Sequence, residues 1–151
     1  SDLESAGPDP WWIINDNICI VAEDKMYEKD NKPIPTQQVR QAAGHNVWIR
    51  EKVKILDPKA NVITIFVTNS NVIEKSATTF ASNIYYVNKD EFNRWALQAI
   101  EGIRRIRRIF SGEGDLIWRC EAMKILRELN ITPGDFLHFI ELKELTKLDV
   151  V

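Results

Sequence analysis

Pro8-Asp9-Pro10-Trp11-Trp12-Ile13-Ile14, Asn15-Asp16-Asn17, Ile18-Cys19-Ile20-Val21-Ala22-Glu23-Asp24-Lys25 is the stretch on which the fold turns. Two strand-like runs, over about 10–15 and 18–25, flank a short polar turn, the pattern of a hairpin. The first run begins at an acid. The second ends in an acid and an amine two residues apart, so Glu23 and Lys25 point to one face of the strand and Asp24 to the other. The apolar or small residues Ile18 to Ala22 predict a backbone lying centrally in a sheet. Charges at the end of such a strand are costly unless paired or bound to metal. Two readings follow. Glu23 and Lys25 either mark where the strand reaches solvent and pair with each other, or join Asp9 in a site where two carboxylates and an ammonium hold a divalent metal beside a phosphate. The start of one antiparallel strand lies near the end of its neighbour. That geometry favours Asp9 over Asp16 in the turn and over Asp24 on the opposite face.

Outward from the hairpin, residues 26–35 are charged and broken by prolines, which predicts a mobile loop. Thr36 is placed to cap a helix running to about Lys54, with Val39, Ala42, Ala43 and Val47 as its apolar stripe. Asn61 to Thr68 is β-branched without alternation, the mark of a buried central strand. Residues 72–82 read as a helix with Ala77, Phe80 and Ala81 inward, and 84–87 as another short buried strand. Asn88 or Asp90 caps a long helix to about Ile109, which Gly112 and Gly114 end. A further helix spans about 115–129, and Thr132-Pro133-Gly134-Asp135 opens a last one over 136–148. The order ββαβαβααα predicts an α/β fold, a mixed central sheet with helices on both faces and an all-α C-terminal tail.

With 151 residues, 44% of them hydrophobic, the chain can bury the core of one domain. A net charge of −2 gives no global basic signal, so nucleic-acid binding would need local patches. Cys19 and Cys120 lie in apolar runs and read as reduced, buried small hydrophobes of an intracellular protein. No apolar run approaches the roughly 20 residues of a membrane span and no signal peptide is visible, so a cytoplasmic location is expected. The chain opens without Met just before a strand, and a fragment of a longer protein is expected.

Acid-x-Lys also occurs at Asp30-Asn31-Lys32, Asp57-Pro58-Lys59 and Glu141-Leu142-Lys143, which read as loop charges or a solvated helix face. Only Glu23-Asp24-Lys25 ends a buried strand. Pro8-Asp9, Glu23-x-Lys25 and a following helix carrying Gln38 and Gln41 resemble the core of the PD-(D/E)xK nuclease superfamily. The likeness covers about residues 8–88, including the Thr68-Asn69-Ser70 step and the strand at Ile84 to Val87.

The resemblance implies a restriction-endonuclease-like fold and a metal-dependent nuclease, a DNA endonuclease first, that hydrolyses phosphodiester bonds. It implies that Asp9, Glu23 and the backbone carbonyl of Asp24 ligate Mg2+ or Mn2+, hard ions suited to oxygen. Lys25 would orient the attacking water or stabilise charge on the phosphate, and Gln38 or Gln41 would position water or the metal shell. The superfamily core has a helix and a strand upstream of the Asp-bearing strand. They are absent here, and Glu4 is too close to Asp9 to replace an acid on that helix. The expected division is therefore a nuclease core over 1–112 and a helical extension over 113–151.

Ile103-Arg104-Arg105-Ile106-Arg107-Arg108-Ile109 alternates isoleucines with arginines. It reads either as a solvated, salt-bridged face or as a face for phosphate backbones, which Arg40, Lys25, Lys29 and Lys32 would extend. His45, one turn after Gln41, admits a catalytic or ligand role but reads first as a polar or packing residue, and His138 reads as structural. The histidines and cysteines have no zinc spacing. The five tryptophans are spread out and read mostly as core or interface anchors. Ser70 and Cys120 belong to no nucleophile motif. The rival to an active nuclease is a catalytically silent module of the same fold that binds nucleic acid or a protein. On either reading the C-terminal helices are expected to serve a homodimer or a larger parent protein.

Overall fold

The computed structural model describes residues 7–151. It is mixed α/β, with a central mixed sheet flanked by helices. The hairpin forms as read: β1 (Trp11–Asn15) pairs antiparallel with β2 (Ile18–Lys25), with a register shift between Ile13 and Asn15. Helix α1 (Thr36–Lys52) then crosses to β3 (Asn61–Thr68), which lies parallel to β2. A short β4 (Val72–Ile73) and a 3-10 helix (Lys75–Phe80) lead to β5 (Ile84–Asn88), parallel to β3. The sheet order is β1-β2-β3-β5. In β2 everything from Cys19 to Glu23 is buried, and in β3 everything from Val62 to Thr68. That is why these runs are apolar without alternation.

Helix α1 lies against β2 and β3 through a different stripe from the one expected. Val39, Ala42, His45 and Ile49 are its buried residues, whereas Ala43 is exposed and Val47 is 60% exposed. Spacings of three, three and four hold this set on one helix face. Cys19 and Val21 of β2 share an apolar cluster with Ile49, Leu56, Ala60 and Val62, edged by Trp11 and Trp48. Thr36 is the first residue of the helix rather than its cap, and Pro35, at the capping position, offers no side-chain bond. The backbone N–H and hydroxyl of Thr36 instead both donate to Glu74, at 2.7 and 2.8 Å, so an acid distant in sequence satisfies the helix start.

Residues 26–35 are not a loose loop. The Tyr27 N–H donates to Asn69 Oδ1 (2.9 Å), and Asn69 Nδ2 donates to the Tyr27 carbonyl (3.0 Å) and to Asp30 Oδ1 (2.8 Å). The Ser70 hydroxyl donates to the Lys32 carbonyl, and the Ile34 N–H to the Val72 carbonyl. The segment expected as a helix over 72–82 is instead a two-residue strand and a 3-10 turn. Val72 and Ile73 pair with β6 (Asp149–Val150), which takes their backbone groups away from a helix.

Helices α2 (Lys89–Arg108), α3 (Leu116–Glu128) and α4 (Pro133–Ile140) follow. Asp115 caps α3 by accepting from the N–H groups of Ile117 and Trp118. Asn130 ends it at φ 53°, with the Ile131 N–H bonded to the Leu126 carbonyl, a Schellman closure. At α4, Thr132 Oγ1 accepts from the Asp135 N–H while Asp135 Oδ2 accepts from the Thr132 N–H, a reciprocal cap.

The helix expected over 136–148 stops at Ile140. Beyond it the Lys143 carbonyl accepts from the Tyr86 N–H, Leu145 and Leu148 are buried with Ile34, Phe66 and Ile73, and the chain ends in β6. The C-terminal stretch is therefore not all helical. The described residues form two compact units, 7–89 with Ile140–Val151, and Asp90–Phe139. In the second unit Trp95 stacks on Phe136 at 4.3 Å. Of the cysteines, Cys19 is buried as expected and Cys120 is exposed.

Candidate active site

Two backbone hydrogen bonds place Asp9 just outside β1. Trp11 faces Val21, the Ala22 N–H donates to the Pro10 carbonyl at 3.0 Å, and the Asp9 N–H donates to the Ala22 carbonyl at 2.8 Å. Asp9 and Pro10 therefore both lie against Ala22, a bulge-like step at the end of the ladder beside Glu23. Glu23 is fully buried. Lys25, on the same face, brings Nζ to 2.7 Å from Glu23 Oε1 and 3.7 Å from Asp9 Oδ2. The Asp9 side chain is 55% exposed and that of Lys25 29%. The expected trio thus meets at one cation at the end of β2, closed inward and open outward.

The pleat separates Asp24 from this group. Its carboxylate pairs instead with Lys89, on the other face of the strand.

His45 completes the arrangement from α1. Its Nε2 lies 2.6 Å from Glu23 Oε2, and both side chains are fully buried. The helix repeat and the strand repeat run together here. Ile49 covers Cys19 and Val21, and one helical turn back His45 meets Glu23. Among the described residues His45 Nδ1 is a buried nitrogen without a hydrogen-bond partner. From sequence, a catalytic or ligand role for His45 stands second to a polar or packing one. The signal that locates it is the 39/42/45/49 spacing, which the apolar Ala43 and Val47 masked.

Of the two glutamines, Gln38 Oε1 accepts from the Tyr27 hydroxyl. Gln41 is half-buried between Gln38 and His45 on the same helical face. Arg40 is exposed on α1. In the second unit Arg105 pairs with Glu128 at 3.3 Å, while Arg104, Arg107 and Arg108 line a shallow depression.

The charges are set by these contacts. Burial pushes the Glu23 carboxyl up, but the hydrogen bonds and charges of His45 and Lys25 outweigh it and leave its pKa below the ordinary value. The hydrogen bond to Glu23 raises the Lys25 pKa against the opposing effect of burial, so Lys25 is cationic at neutral pH. Burial first, then the charges of Glu23 and Glu74, push the Tyr27 phenol far above its usual range.

Asp9 and Glu23 offer carboxylate oxygens around one cation position, the donor chemistry of a hard divalent ion. Among the described residues no group of three or more His, Cys, Asp or Glu side chains forms a metal cage. The set fits an ion such as Mg2+, which binds through one or two carboxylates and keeps positions for waters and substrate phosphate oxygens. Comparisons with protein-family models, with curated proteins and with solved structures find no match for this chain. Among the described residues no helix is long and apolar enough to cross a membrane.

Proposed function

We propose that the chain is a divalent-metal-dependent nuclease of the PD-(D/E)xK, restriction-endonuclease-like type, with DNA as its first candidate substrate. The observation that carries this reading is the meeting of Asp9, Glu23 and Lys25 at the end of a buried strand, with Lys25 Nζ 2.7 Å from one carboxylate and 3.7 Å from the other. Asp9 and Glu23, with the Asp24 carbonyl, would hold Mg2+ or Mn2+. When bound, the metal supplies polarisation of the scissile phosphate and a more acidic water.

The protein's own groups divide the remaining work. Glu23 is buried, hydrogen-bonded at Oε2 by His45 and ion-paired at Oε1 with Lys25, contacts that favour its ionised form. Asp9 lies at the solvent side, where a phosphodiester can approach. Lys25, a point charge on a flexible stem, is held cationic. It therefore acts as a stabiliser of negative charge on the phosphate oxygens rather than as a base. The arginine row of α2 would add sequence-independent contacts to the nucleic-acid backbone.

The test is nicking of supercoiled plasmid with Mg2+ or Mn2+ and with chelator. Metal-dependent nicking is expected, reduced at least about 100-fold by Glu23→Gln and by Lys25→Met, the scale of losing one transition-state charge stabiliser. Nicking retained by both variants refutes the site.

A second reading rests on a specific observation: both Glu23 oxygens are already engaged, by His45 and by Lys25. This is the arrangement of a silent module that binds nucleic acid or a protein. Failure of the wild-type chain to nick DNA or RNA with either metal favours it.

A further inference from the structure

We propose that His45 is a positioning residue that fastens Glu23 Oε2 within the core, so that Oε1 alone is presented to the cation position shared with Asp9 and Lys25. The inference rests on the metal site proposed above and adds a residue to it. Three features lead to it. The Nε2–Oε2 separation is 2.6 Å with both side chains fully buried, so the contact has no competition from water. Packing fixes the direction of approach, since Val39, Ala42 and Ile49 on the same helix face hold α1 against the sheet. A histidine is also a poor choice for filling this space alone. Well-packed apolar residues do as well as or better than a buried polar pair, and here one imidazole nitrogen, Nδ1, is left without a partner.

A carboxylate oxygen tied by an N–H donor keeps its partner oxygen pointed one way. Without that tie Glu23 can rotate, put both oxygens on Lys25, or leave the cation position. Partners of this kind behind a ligating carboxylate change metal affinity by about 10- to 100-fold.

The experiment measures Mn2+ binding to the full chain at one fixed near-neutral pH, by paramagnetic resonance of free Mn2+, for the wild type and for Glu23→Gln, His45→Gln, His45→Asn and His45→Leu. Thermal unfolding is followed in parallel. Glutamine carries its amide nitrogen close to the place of Nε2, whereas asparagine is too short. Binding is expected in the wild type and lost in Glu23→Gln. It should be kept within about threefold in His45→Gln and weakened by about 10- to 100-fold in folded His45→Asn and His45→Leu. Equal Mn2+ affinity in His45→Asn and His45→Gln overturns the proposal, and this comparison holds even where the leucine variant does not fold. Glu23-dependent binding that ignores every His45 change leaves the metal site standing and removes only the role of His45. Absence of Glu23-dependent binding in the wild type removes both.

Discussion

Glu74 is the residue whose contribution can be isolated most cleanly. Its carboxylate receives the N–H and the hydroxyl of Thr36 at the start of α1, and the backbone hydrogen bond foremost lowers its pKa. A carboxyl depressed in the folded state stabilises above its unfolded value, about 4.3, and that contribution is lost as the pH falls through the folded pKa. Glu74→Gln should therefore be less stable than the wild type at neutral pH, and the gap should close on acidification. Urea unfolding across this pH range checks it, and a gap of constant size contradicts it. The sequence could not reveal Glu74 in this role, because the acid lies far along the chain from the helix it serves. Glu23 and Lys25 were legible because period two and a buried run fix their face. His45 was not, because reading Val47 as buried rotated the helix away from it.

At the scale of elements, hairpin, crossover helix and central strands followed from periodicity and turn residues alone. The errors lay where long-range pairing replaces local preference. Val72 and Ile73 join β6, and Asn69 ties down the segment after Lys25, neither of which a local pattern announces. Helix α2 carries the arginine row, and Arg105 is already turned to Glu128. Each phosphate contact steepens the dependence of log affinity on log salt by about 0.9. Replacing Arg104, Arg107 and Arg108 together by alanine should lower that slope on duplex DNA by roughly 2 to 3. A slope equal to that of the wild type would assign these arginines to a solvated face.

The whole molecule comprises two compact units, and the C-terminal residues belong to the first. Composition pointed to one core and helical periodicity to an all-α tail. The return of residues 140–151 to β4 and β5 was hidden because Leu145 and Leu148 keep a helix-like spacing while lying in a 3-10 turn and the approach to β6.

In the proposed site of the first unit, the chemistry belongs to one face of β2. Single-turnover cleavage of a DNA duplex with Mg2+, compared among Asp9→Asn, Glu23→Gln, Lys25→Met and Asp24→Asn, tests it most directly. The first three should each lose at least about 100-fold. Asp24→Asn, which changes only the face paired with Lys89, should cleave within a fewfold of the wild type. Loss in Asp24→Asn as deep as in the other three, or no loss in any of them, contradicts the account.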